Sequence, residues 1–167
     1  MRALLALALL LPAASAQPSA DPADVSTIDG IIAAYYEVVS GPAGQPRDWA
    51  RDSTLHHPSA LILIPGTGAD GETTLQATDL AGFHAQSNSL VEAGFFEHEI
   101  ARRTERHGAV AHVWSTYAWR QTEDGPVGGQ GVNSIQLAHD GSRWWIVSWM
   151  FDGRADAPPV PEPYLPE

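Results

Sequence analysis

The side chains of this chain that could move a proton or hold a metal are seven histidines, a run of acids and a few tyrosines, with no cysteine. The missing Cys removes thiolate chemistry and any disulfide framework. An imidazole titrates closest to neutrality, so a histidine facing a pocket would be the natural general base, and His98 is the one expected there. Zinc needs three or four converging ligands. His56 and His57 are adjacent and would point apart; His84 falls on a helix, His107 and His139 in turns, and His98 and His112 on opposite faces of a hairpin. No metal and no cofactor is expected. The hydroxyls of Tyr35, Tyr36 and Tyr117 and the amide of Asn133 could polarise a bound molecule, and Asp152 could place a carboxylate at a pocket mouth. Gly66-x-Gly68-x-x-Gly71 imitates a phosphate-binding loop but does not lead from strand to helix, so it reads as a plain loop.

The formal charge is -11, and all nine basic residues are Arg. A field of that sign repels phosphate backbones and anionic lipid, so neither nucleic acid nor a membrane surface is an expected partner. Met1-Arg2, an apolar run over residues 3–11, Pro12 and then Ala14-Ser15-Ala16 have the form of a signal peptide cleaved after Ala16. The run is shorter than the roughly 20 residues a bilayer span needs. A periplasmic or secreted protein is expected. Residues 17–25 read as a flexible lead-in, 26–152 as one domain, and 153–167, rich in proline, as an extended tail.

Within the domain, Ile28, Ile31, Ile32, Tyr35, Tyr36 and Val39 form one apolar helical stripe, with Ser26 as a possible N-cap and Gly41-Pro42 beyond its end. A short helix is expected over 47–52, anchored by Trp49, and another over 79–93, stopped by Gly94. Leu61-Ile62-Leu63-Ile64 before Pro65-Gly66 suits a buried strand, followed by a Gly- and Thr-rich loop. From Phe95 the period becomes two, giving strands over 95–106, 109–121, 129–138 and 143–151. Helices first and tightly turned strands last imply an α+β fold, a curved sheet with the N-terminal helices on its concave face.

A hairpin turn at His107-Gly108 would pair Arg106 with Ala109 and send Phe96, His98 and Ile100 inward with Ser115, Tyr117 and Trp119. The next hairpin would send Asn133, Ile135 and Leu137 inward with Trp144, Ile146, Ser148 and Met150. Trp114, Trp145, Val147 and Trp149 would then make an apolar patch on the outer face, too large to leave wet, so a homodimer through that face is expected.

Three runs carry a family resemblance: Ala109-Val110-Ala111-His112-Val113-Trp114-Ser115-Thr116-Tyr117, Gly131-Val132-Asn133-Ser134-Ile135-Gln136-Leu137, and Asp140-Gly141-Ser142-Arg143-Trp144-Trp145-Ile146-Val147. Over residues 25–152 the chain resembles SnoaL-like bacterial proteins of the nuclear transport factor 2-like superfamily. The resemblance implies a cystatin-like α+β cone with a pocket between the first helix and the concave sheet. That superfamily includes isomerases, dehydratases, epoxide hydrolases and cyclases, so fold alone names no activity. In isomerase-like members an Asp precedes the Pro ending the first strand; here Ile64 precedes Pro65, which argues against that chemistry.

Three readings follow. The cone binds a small apolar or aromatic molecule, lined by Tyr35, Phe83, Ser115, Tyr117, Trp119, Ser148, Met150 and Asp152. Alternatively it is a lyase, isomerase or hydrolase with His98 as base and Tyr36, Tyr117 or Asn133 polarising the substrate. In the third reading it is a structural dimer whose cone is filled by its own side chains.

Overall fold

The computed structural model describes residues 19–154 and 157–166. The expected leader lies outside the described residues. The apolar stripe forms α2 (Ile28–Val39), and Ile31, Ile32, Tyr35, Tyr36 and Val39 are all buried. Each fully buried aliphatic side chain contributes about 1.5–3 kcal/mol. Thr27, not Ser26, closes the N-terminus, its Oγ1 accepting from the Gly30 N–H at 2.9 Å. Before it, α1 (Pro22–Val25) is one turn capped by Asp21, where a flexible lead-in was expected. Its Asp24 receives two hydrogen bonds of 2.8 Å from Arg51 of α3 (Trp49–Leu55), which ties the segment to the domain.

Asp48 caps α3, so the helix starts later than expected, and Arg47 does something else. Its guanidinium is buried and donates to the carbonyls of Val39, Pro42, Gly41, Gln45 and Leu90 at 2.7–3.3 Å. One cation thereby holds the end of α2, the loop after it and α5 (Asn88–Ala93) together. The single helix expected over 79–93 is two, α4 (Leu80–Gln86) and α5, broken at Ser87, whose hydroxyl donates to the Phe83 carbonyl at 2.7 Å.

Among the described residues six strands make one sheet: β1 (His56–Thr67), β2 (Thr73–Thr78), β3 (Phe96–His107), β4 (Val110–Arg120), β5 (Val127–His139) and β6 (Trp144–Asp152), in the order β2-β1-β6-β5-β4-β3. Only β1 and β6 pair in parallel. The sheet is mixed, and α2 lies in its hollow against β3 and β6. β2, part of the segment expected as a loop, has almost every residue exposed and so carried no apolar pattern to read.

Two extra residues decide which side chains look inward. Glu99 pairs with Tyr117 and Ala101 with Thr116, leaving Ile100 as a bulge on β3. Beyond it the alternation reverses, so Glu97 and Glu99 share the inner face with Trp119 and Tyr117, while His98, opposite Ala118, turns away. On β6, Ile146 pairs with Leu137 and Ser148 with Gln136, leaving Val147 extra. Trp149 and Phe151 therefore turn inward opposite Ile135 and Asn133, and Ser148 and Met150 turn outward, Met150 being 42% exposed. The inward assignments of His98, Ser148 and Met150 and the outward one of Trp149 are corrected accordingly.

The outer face is also partly covered. The tail returns across it through a 3-10 turn, Glu162–Tyr164. The Thr116 hydroxyl donates to the Tyr164 carbonyl at 2.7 Å, and the Tyr164 ring lies 5.3 Å from Trp114 and beneath Arg103. With Trp149 inside and Trp114 under the chain's own tail, the three tryptophans do not form the continuous outer patch expected for a dimer.

Candidate functional site

Inside the hollow, α2 presents Tyr36 to the sheet. Its hydroxyl lies 2.6 Å from Ser115 Oγ and accepts from Asn133 Nδ2 at 3.1 Å. Ser115 in turn donates to Glu99, and Glu99 is held by Arg102 through contacts of 2.6–2.9 Å. Arg102 continues to Asp29 at the surface. Burial, aided by the Glu97 charge, pushes the Tyr36 hydroxyl well above its ordinary value. Tyr36 and Ser115 are thus internally satisfied polar groups in the core, where an unpaired hydroxyl would be costly.

Beside this chain of bonds opens a cavity of about 210 Å³ between α2, α4 and the inner face of the sheet. Tyr35, Phe83, Phe95, Trp119, Trp149 and Phe151 supply aromatic walls. Phe83 and Trp149 meet edge to face at 4.9 Å, Tyr35 and Trp149 at 5.7 Å. Leu90, placed by the Arg47 contact with its carbonyl, closes one side. The volume lies below the roughly 300 Å³ where drug-sized sites begin and corresponds to the room taken by about one ring.

Two polar side chains aim into this space without being used up. Glu97 makes no side-chain hydrogen bond or ion pair with any described residue; only its backbone is held, through Ser40 Oγ. Burial pushes its carboxyl up to about 8. Asn133 commits Nδ2 to Tyr36, and its Oδ1 has no partner among the described residues. Tyr117, also lining the space, has its hydroxyl pushed up by burial and by the Glu97 and Asp152 charges.

Glu97 is also the wall between the inner cavity and an open groove of about 510 Å³ along β3. His98 lies in that groove, its Nδ1 3.1 Å from Arg120 Nη1, and desolvation with the Arg120 charge holds its pKa below the usual histidine value. It does not reach the inner cavity. Asp152 ends β6 in an ion pair with Arg154 at 3.0 Å, outside the cavity, and Ser148 and Met150 face outward. Of the expected site residues, the structure brings together Tyr35, Phe83, Tyr117, Trp119 and Asn133 at the cavity, with Tyr36 and Ser115 directly behind.

Behind Trp149 is a second polar assembly. Trp149 Nε1 donates to His56 Nε2 at 3.0 Å, which leaves the proton of a neutral His56 on Nδ1, 3.1 Å from the Asp52 backbone carbonyl and 3.2 Å from its Oδ1. His84 Nε2 approaches Asp52 Oδ2 at 2.6 Å, with its ring stacked on Trp49 at 4.4 Å. Burial works to raise the Asp52 carboxyl, but the hydrogen bonds from His56 and His84 outweigh it and hold the group below the ordinary range. Among the described residues no group of three or more His, Asp or Glu is arranged to hold a metal ion.

This architecture is the cystatin-like fold of NTF2-like proteins. A protein of unknown function with a cystatin-like fold from Nostoc punctiforme superposes with a TM-score of 0.58 at 9% identity, over 80% of this chain and 92% of that one. An NTF2-like protein of unknown function from Silicibacter pomeroyi gives 0.52 at 17%, over 77% and 94%. The β subunit of a putative aromatic-ring-hydroxylating dioxygenase from Novosphingobium aromaticivorans gives 0.53 at 18%, over 85% and 95%. No family model matches the sequence, and no curated protein matches it. Among the described residues no helix is long and apolar enough to cross a membrane.

Proposed function

We propose that this protein is an exported binder of small one-ring aromatic or apolar molecules, held in the cavity between α2 and the inner sheet face. The observation that carries this reading is an aromatic-walled space of about 210 Å³ into which an unpartnered carboxyl and an amide oxygen project. Such a mixture, mostly apolar with a few placed polar groups, is what small-molecule sites are made of. A cone filled by its own side chains would leave no such space. The test is quenching of the tryptophan fluorescence of the full chain by 2-phenylethanol. Saturable quenching in the native protein, lost in Phe83→Trp where the larger ring fills the cavity, supports the reading; identical titrations of both proteins overturn it.

A second reading is favoured by Glu97 itself. A carboxyl poised at about 8 and without a side-chain partner among the described residues is suited to accept a proton from a bound molecule, the role first expected of His98. An enzyme of lyase or isomerase type would then use Glu97, and Glu97→Gln would abolish turnover while His98→Ala would not. Export to the periplasm or medium rests on the leader sequence and is tested by N-terminal sequencing of the secreted protein. A homodimer through the outer face would have to rely on Trp145, Leu61 and Met150, since Trp114 and Trp149 are occupied. Size-exclusion chromatography with light scattering decides it.

A further inference from the structure

We propose that the occupant of the inner cavity is an apolar organic cation, with its ring or alkyl body among the aromatic walls and its positive head against Glu97. The inference rests on the reading of the cavity as a ligand site and names the chemical class that the site selects. Among the described residues Glu97 is the one carboxylate that lines the space, and no described Arg or His lines it. Where Glu97 is ionised, an anion would therefore meet a like charge and no cationic partner among the described lining residues. A neutral molecule with no hydrogen-bond donor would leave the carboxyl as it now stands, half-buried and without a partner among the described residues. A cation gives that carboxyl its missing counter-charge, and the aromatic rings of Tyr35, Phe95, Trp119 and Trp149 line the same space, where a ring face turned to a desolvated positive group stabilises it. Asn133 Oδ1 is a further acceptor without a partner among the described residues, and the chain's charge of -11 raises the local concentration of cations.

The groups around Glu97 fix how pH enters. Tyr35 and Tyr36 of α2 and Tyr117 of β4 interact with it electrostatically, and each of their hydroxyls is pushed above its ordinary value, so they stay neutral near pH 8. On the groove side stand Glu37 of α2, Glu99, His98 and Arg102 of β3, Arg120 of β4, and Glu123. His98 titrates below its usual range, so it is already neutral there. The titration that matters at about 8 is that of Glu97. A cation binds its ionised form, so affinity rises with pH up to about 8 and levels beyond it. Below that, each cation bound displaces one proton to the buffer.

The test uses the full chain and benzyltrimethylammonium, whose charge does not titrate, beside its neutral isostere neopentylbenzene. Calorimetric titration at pH 6 and pH 9 should show the cation bound roughly 10-fold or more tighter at pH 9 than at pH 6, with buffer-dependent heat at pH 6 from the released proton. The neutral isostere should show no such dependence and should bind more weakly than the cation at pH 9. In Glu97→Gln the preference for the cation should fall to about unity while the isostere still binds. Equal binding of the two probes to the native protein, or a cation preference unchanged in Glu97→Gln, overturns the cation inference and leaves the cavity reading standing. If neither probe binds, the cavity reading fails with it.

Discussion

Glu97 stands directly across the β3–β4 ladder from Trp119, a carboxyl facing into an aromatic hollow. Ile100 puts it there. Without that extra residue Glu97 would share the outer face and His98 the inner one, and the protein would carry an imidazole where it carries a carboxyl. A residue with no polar atoms in its side chain therefore selects the chemistry of the site.

The first prediction concerns stability against pH. Glu97 titrates at about 8 in the folded chain against an ordinary 4.5. The folded state then holds a proton that the unfolded state has lost between those values, so stability falls as pH rises from about 4.5 to about 8 and levels above. The loss is on the order of a few kcal/mol. Glu97→Gln should remove this decline and be more stable than the native protein at pH 9, with little difference at pH 4. Thermal unfolding at pH 4, 6.5 and 9 checks it, and a native profile that is flat from pH 5 to pH 9 counts against a Glu97 carboxyl desolvated in the cavity wall.

Much of this could be read in advance. The α2 stripe, the four long strands and the convergence of Tyr36, Ser115 and Asn133 followed from periods of 3.6 and 2, because α2 and most of the last three strands bury one side only. The inward turn of Glu97 did not. In Phe96-Glu97-His98-Glu99-Ile100 the apolar members share one parity, and the rule that acids face water pointed the wrong way at the place where a ligand site breaks it. β6 did leave a trace: its large apolar residues switch from Trp144 and Ile146 to Trp149 and Phe151, a change of parity that marks Val147 as the bulge. Nothing in the spacing announced Arg47, because its five acceptors are backbone carbonyls that no sequence pattern displays.

The second prediction follows from that clamp. The planar guanidinium of Arg47 reaches carbonyls on α2, the following loop and α5, and a lysine ammonium has three donors on one point and cannot span them. Arg47→Lys should cost roughly 2–4 kcal/mol through carbonyls left unsatisfied. Leu90 should loosen at the cavity wall as well. Chemical denaturation measures the first effect. Faster amide exchange over residues 88–93 relative to β4 measures the second.

The third prediction separates architecture from chemistry at Tyr36. Its hydroxyl joins Ser115 to Asn133, so Tyr36→Phe leaves two buried polar groups short of a partner and should cost about 1–3 kcal/mol. Ligand affinity should change by less than about threefold, since the hydroxyl faces the sheet rather than the inner cavity. A variant of native stability whose binding has collapsed would instead make Tyr36 a ligand contact.

The fourth prediction takes the assembly behind Trp149. Asp52 accepts from both His56 and His84 while buried at 2% exposure, and those bonds hold its carboxyl below 3.8 in spite of the burial that opposes them. A group depressed in this way contributes stability that is fully present above its unfolded value and is lost as pH falls through the folded one, so the native protein should weaken below about pH 4. An Asn at this position keeps one acceptor oxygen and turns an amide toward the other histidine. Asp52→Asn should therefore be less stable at pH 7 by about 1–3 kcal/mol, and its acid limb should be flatter than the native one. The His56–Trp149 bond depends on the same tautomer, so loosening Asp52 should also change the Trp149 environment, visible as a shift in tryptophan emission. If Asp52→Asn matches the native protein in stability from pH 3 to pH 7, the carboxylate is not what orders His56 and His84, and the inner wall of the cavity must be held by the packing of Trp149 against Tyr35 and Phe83 alone.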